Sequence, residues 1–203
     1  MSDPLKAGKQ AIDIEMQALA AARDRLGRGF EKAVHAVNQC GGKVVVTGIG
    51  KSGHVGAKIA ATMSSLGIPA IFMHSTEALH GDSGIVSADD VAIAISNSGK
   101  TDEVINAAAK CKELGATVIA MTGGARSELA KLADIVIDIS VSREADPLDL
   151  APTSSTTVTI AVGDALAVAV SSGRGFAASD FAVYHSGGTL GRRVSAERKP
   201  RKK

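Results

Sequence analysis

The sequence holds only two cysteines, Cys40 and Cys111, far apart and without the Cys-x-x-Cys spacing of a zinc or redox site. We read both as buried free thiols and expect no metal and no cofactor. An excess of one charge is also missing: 23 basic residues face 21 acidic ones, for a net charge of +2. That balance implies no broad basic surface for nucleic acid. Only the end departs from it, where RRVSAERKPRKK from Arg192 to Lys203 is basic, lacks an apolar period and reads as a frayed terminus. Long apolar runs are lacking as well. No stretch approaches eighteen apolar residues without a break, and the opening MSDPLKAGKQ has no apolar segment of the signal-peptide kind. The expectation is a cytoplasmic protein with no membrane partner.

What is present suits one domain: 203 residues with 45% hydrophobic content can bury a substantial core. Residues 1–40 are rich in helix formers, with Ile12, Met16, Leu19 and Ala20 at helical spacing and Gly27 and Gly29 dividing two helices. After Gly41 and Gly42, short β-branched runs alternate with helix-like segments, the signature of a parallel sheet. Five strands are expected, at Val44 to Thr47, Ala70 to Met73, Val91 to Ile95, Thr117 to Met121 and Ile135 to Ile139. The runs are apolar almost throughout, so helices should cover both faces of an α/β, three-layer, doubly wound sheet of flavodoxin-like order. Helices are expected near Val55 to Leu66, Asp102 to Leu114, Ser127 to Leu132 and Ser155 to Ser171. The last, STTVTIAVGDALAVAV, is apolar on nearly every side and needs cover all round. We expect a partner subunit to supply that cover, and hence a homo-oligomer. The implied division is helices at 1–40, an α/β domain at 41–193 and a basic tail at 194–203.

Ligands of open α/β sheets bind beyond the carboxyl ends of the strands, here between the first and third. The loops there are Gly48-Ile49-Gly50-Lys51-Ser52-Gly53 and Ser96-Asn97-Ser98-Gly99-Lys100-Thr101. Each leads into a helix whose first amides and dipole favour an anion. Three hydroxyls within the second loop suit a phosphate monoester, although Thr101 before Asp102 and Glu103 also fits a simple helix cap. The first loop matches Gly-x-Gly-x-x-Gly, but Phe72, Met73 and His74 stand where that fingerprint needs a ribose-binding acid. Gly50-Lys51-Ser52 is no P-loop, since Val45 occupies the place of its earlier glycine.

With these loops in view, the chain resembles the D-arabinose-5-phosphate isomerases of the SIS (sugar isomerase) domain superfamily. The resemblance is carried by GIGKSG at Gly48 to Gly53, HGD at His80 to Asp82, SNSG at Ser96 to Gly99 and EADPLDLAPTSST at Glu144 to Thr156. GDALA at Gly163 to Ala167 and HSGGTLGRR at His185 to Arg193 complete it. It implies phosphate binding by Ser52, Ser96, Ser98, Thr101, Ser154, Ser155 and Thr156, and a catalytic set of Lys51, His80, Glu103, Glu144 and His185. It also implies a sugar-phosphate substrate, no metal, and a homotetramer whose active sites are completed at subunit interfaces. Many members carry a pair of CBS regulatory domains, and ending soon after LGRR points to a form lacking them. Lys100, Ser75 and Ser186 depart from the family's usual Glu, Pro and Pro.

Aldose–ketose isomerisation through an enediol needs a base, an acid beside the oxygens and oxyanion stabilisation. The expected assignment gives proton transfer to Glu144 or Glu103, with Glu144 preferred because Glu103 also suits a helix dipole. One of the two histidines would open the ring or serve as the acid beside the oxygens, and Lys51 would offset oxyanion or phosphate charge. Alternatives are a SIS isomerase for another sugar phosphate, such as a 3-hexulose 6-phosphate, and a non-catalytic sugar-phosphate sensor.

Overall fold

The computed structural model describes residues 3–185. Ser186, the remainder of HSGGTLGRR and the basic tail lie outside them. Two helices come first, α1 (Pro4–Arg25) and α2 (Arg28–Gln39). Asp3 starts α1 by accepting from the amide of Leu5 at 3.0 Å, with Pro4 in the first turn, where a missing N–H costs nothing. Five strands follow: β1 (Val44–Gly48), β2 (Ala70–His74), β3 (Val91–Ile95), β4 (Thr117–Thr122) and β5 (Ile135–Asp138). Between and after them lie α3 (Gly50–Ser65), α4 (Ser75–Ala78), a 3-10 turn at Asp82–Ile85, α5 (Asp102–Glu113), α6 (Glu128–Leu132), α7 (Ser154–Gly173) and α8 (Ala178–Tyr184).

All strand pairs are parallel, in the order β2-β1-β3-β4-β5. The order reverses between β1 and β3, so the crevice expected from the sequence opens there. Alternation along each strand sorts residue size by face. Val91, Ile93 and Ile95 of β3 join the core shared with α1, α2, α3 and α7, whereas Ala92 and Ala94 face the core shared with α5 and α6. On that second side, Ala107 and Ala108 of α5 meet a surface of small residues, which lets helix and sheet approach closely.

Helix α7 is long and apolar enough to cross a membrane, and it packs against α1, α2 and α3 of its own chain. Much of its cover therefore comes from within. Gly163 sets how closely α7 lies on α3, because a Cβ there would run into the Ile59 side chain. The stripe of α1 that meets this core includes the expected Leu19 but otherwise differs from the expected one. Ala18 and Ala22 are buried, whereas Ile12 and Met16 are 62% and 61% exposed. Small residues win that contact because they allow α1 to lie close to α7, and Glu15 on the same side accepts from Thr157 Oγ1 at 3.1 Å.

Candidate active site

Strand β1 ends in a tight turn. Gly50 has φ 55°, in the left-handed region where glycine is favoured, and a Cβ on Gly48 would press to 3.2 Å from the Ser52 backbone. Helix α3 thus begins directly against the strand end, and no side chain caps its N-terminus. Across the crevice, the loop after β3 is held by its own hydroxyls. Ser96 Oγ lies 3.0 Å from Thr101 Oγ1 and accepts from the Gly99 amide at 3.1 Å, and Ser98 Oγ accepts from the Lys100 amide at 3.2 Å. Gly99, at φ 65°, has no room for a Cβ beside Ser127.

A cavity of about 460 Å³ opens at these strand ends. The loop after β1 lines it with Ile49, Lys51 and Ser52, and the loop after β3 contributes Asn97. The segment after β5 adds Val141 to Glu144, Asp149, Leu150 and Pro152, and the start of α7 adds Ser155, Thr156 and Thr159. Its wall therefore carries two cations, Lys51 and Arg143, several hydroxyls and two carboxylates.

Each carboxylate is bound by the loop through one of its oxygens. Glu144 is only 8% exposed, and its Oε2 accepts from the Thr153 amide at 2.8 Å, the Thr153 hydroxyl at 3.1 Å and the Ser155 amide at 3.1 Å. Burial pushes its pKa up, but the hydrogen bonds from Ser155 and Thr153 outweigh burial and hold it below the ordinary glutamate value. Asp149 Oδ1 accepts from the Glu144 amide at 2.6 Å, with Asp149 itself at φ 55°. Asp146 holds the same loop by accepting from the amides of Leu150 and Ala151 at 3.0 and 3.1 Å.

A pocket of this size, with cations and hydroxyls at the switch point of a parallel sheet, suits a small anionic, polyhydroxylated ligand. The sequence profile of the SIS domain matches residues 38–169, a span that contains the whole sheet and every segment that lines the cavity. The chain belongs to the SIS domain family. It is 50% identical over 192 residues to the arabinose 5-phosphate isomerase KdsD of Pseudomonas aeruginosa, across 95% of this chain and 59% of that protein. It is 48% identical over 195 residues to the arabinose 5-phosphate isomerase GutQ of Salmonella typhimurium, across 96% of this chain and 61% of that protein. This chain thus spans about three fifths of the length of these curated relatives. Among solved structures, the E. coli CFT073 protein c3406 in complex with arabinose 5-phosphate superposes with a TM-score of 0.87 at 41% identity, covering 91% of this chain and 100% of that one.

Within this SIS domain, the residues singled out from the sequence divide into groups. Lys51, Ser52, Glu144, Ser155 and Thr156 meet at the cavity. Ser96, Ser98 and Thr101 shape the neighbouring loop through the bonds described above. Ser154 is fully buried, and its Oγ has no hydrogen-bond partner among the described residues. His80 and Glu103 are exposed away from the cavity wall. His185 closes α8, where its Nδ1 lies 3.0 Å from the Phe181 carbonyl and its ring stacks on Phe181 at 3.8 Å. Asn97, Arg143, Asp149 and Thr159 line the cavity without having been singled out. Thr159 carried a signal, since it lies one helical turn beyond Ser155 and Thr156. Of the departures from family text, Ser75 is buried with its Oγ 2.9 Å from Thr47 Oγ1, Lys100 is exposed, and Ser186 lies outside the described residues.

Proposed function

We propose that this chain interconverts D-arabinose 5-phosphate and D-ribulose 5-phosphate through an enediol, as a cytoplasmic homotetramer. The observation that carries the reading is the cavity: two cations and a hydroxyl-bearing wall at the β1/β3 switch point, in a chain that matches a solved arabinose 5-phosphate complex over that protein's full length. The names of its curated relatives support the same substrate.

In the reaction a proton leaves carbon 1 of the ketose and returns to carbon 2, while the hydroxyl proton on oxygen 1 is lost and oxygen 2 gains one. Negative charge develops on the oxygens of the intermediate and rests on the phosphate throughout. Lys51 and Arg143 offset that charge, and the hydroxyls of Ser52, Ser155, Thr156 and Thr159 are placed to donate to phosphate and sugar oxygens. His80, Glu103 and His185 lie off the cavity wall of their own chain, so a neighbouring copy is the natural source of further acid–base groups. Exposed apolar side chains at Ile12, Met16 and Val168 offer surface for that copy.

The test is incubation of purified protein with ribulose 5-phosphate and resolution of the aldopentoses formed. Arabinose 5-phosphate is the expected product. Another aldopentose would mean a different SIS isomerase, and saturable binding without turnover would mean a sensor.

A further inference from the structure

We propose that Glu144 is a positioning residue, one that holds the first turn of α7 against the cavity and does not move the proton between carbons 1 and 2. The proposal rests on the isomerase reading above. Helix α7 has no side-chain cap from Thr153, the residue that should supply one, because the Thr153 hydroxyl accepts from the Ala145 amide at 2.7 Å. Glu144 takes over that task from nine residues upstream, binding the amides of Thr153 and Ser155 with one oxygen. An anion at a helix N-terminus is stabilised by the dipole and by the unpaired amides. The turn so fixed carries Ser155, Thr156 and Thr159 on the cavity wall.

Glu144 is held at its amide, its carbonyl and one carboxylate oxygen, Oε2. Its amide donates to Asp149, its carbonyl accepts from Arg143 Nε at 3.3 Å, and its carboxylate has three donors. Asp149 adopts a left-handed backbone to make its bond, a conformation uncommon outside glycine. A proton shuttle needs a pKa near the working pH and an oxygen free to reach the proton on a substrate carbon, whereas Oε2 is fixed by three donors.

Two variants of the full chain test this with ribulose 5-phosphate, read by kcat, KM and deuterium incorporation from heavy water. The side-chain carbonyl of glutamine can accept from the same donors but cannot take the proton. Glu144→Gln should therefore keep kcat within about tenfold of wild type and retain deuterium exchange. Glu144→Ala should raise KM by roughly tenfold or more with a smaller change in kcat, as the α7 turn loses its hold. A Gln variant down by about 100-fold or more in kcat at unchanged KM, with exchange abolished, would make Glu144 the base and overturn the proposal. So would an Ala variant with wild-type KM. If the Ala variant does not fold, the Gln variant alone decides. If the wild type itself does not turn over ribulose 5-phosphate, the isomerase reading fails separately. Calorimetry with inorganic phosphate then decides the clamp: weak binding by Ala but not by Gln upholds it, and equal affinity in all three proteins overturns it.

Discussion

Two buried carboxylates sit at opposite ends of the sheet and are neutralised in different ways. Asp90, just before β3 at the amino ends of the strands, is 2% exposed and accepts from Lys43 Nζ at 2.7 Å, the Lys43 amide at 2.9 Å and the Ser87 amide at 2.8 Å. Glu144, at the carboxyl ends, is held by amides and a hydroxyl, and no ion pair reaches it among the described residues. The closed end uses its own lysine to cancel charge. At the open end a helix N-terminus does that work, and Lys51 and Arg143 make no salt bridge among the described residues. Cations left uncommitted in a cavity are available to an anionic ligand.

This contrast can be broken at either end. The largest expected effect is Asp90→Ala, which strands the Lys43 ammonium and two amides and should cost about 3 kcal/mol of unfolding free energy in urea. KM of the folded fraction should be unchanged, and a shifted KM would contradict the division between the ends. Next comes Gly163→Val, which forces α7 off Ile59 of α3 and should cost about 2 kcal/mol. Because α7 carries Ser155, Thr156 and Thr159, this variant should also raise KM without altering any group on the cavity wall. A stability loss with wild-type KM would mean that α7 repacks without moving its first turn. Lys51→Ala should raise KM by roughly tenfold, the worth of one charge-assisted hydrogen bond, and leave stability unchanged. Arg143→Ala should do less, since Arg143 Nε already serves the Glu144 carbonyl.

The sheet was legible because strands buried on both faces must be apolar throughout, as in VVVTG, VAIAI and TVIAMT, and all five fall within a residue or so of their expected limits. The crevice was located by adopting the common five-strand order, which a regular alternation of strands and helices allows but does not dictate, and the observed order β2-β1-β3-β4-β5 agrees with it. Helix α7 was harder. Apolar residues all round say that cover is needed but not whose, and only tertiary packing reveals that α1, α2 and α3 provide much of it. The stripe of α1 was read only in part: Leu19 packs against the core, whereas Ile12 and Met16 are exposed and close helix packing selected Ala18 and Ala22. At the site, motif letters brought out Lys51 and Glu144 but could not separate a base from a cap. The cap becomes visible only in three hydrogen bonds to one oxygen.

The smallest effect compares the same two carboxylates by acid titration. Burial raises the pKa of both, and in both the hydrogen bonds win, with Lys43 and Ser87 acting on Asp90 and Ser155 and Thr153 on Glu144. A folded-state pKa below the unfolded value means that the unfolded chain binds more protons as the solution is acidified. Each group therefore contributes stability that is fully present above the ordinary carboxylate range and is lost as pH falls through its depressed folded pKa. Urea midpoints measured from neutral pH down through that range should decline for the wild type. Glu144→Gln cannot titrate, so its midpoint should fall less steeply, and the Asp90 share of the decline should persist. If Glu144 is a cap and not the base, the acid limb of kcat/KM should lie at the same pH in Glu144→Gln as in wild type. A stability slope as steep as wild type would remove Glu144 from the acid response, and an activity limb displaced in the variant would return it to the proton transfer.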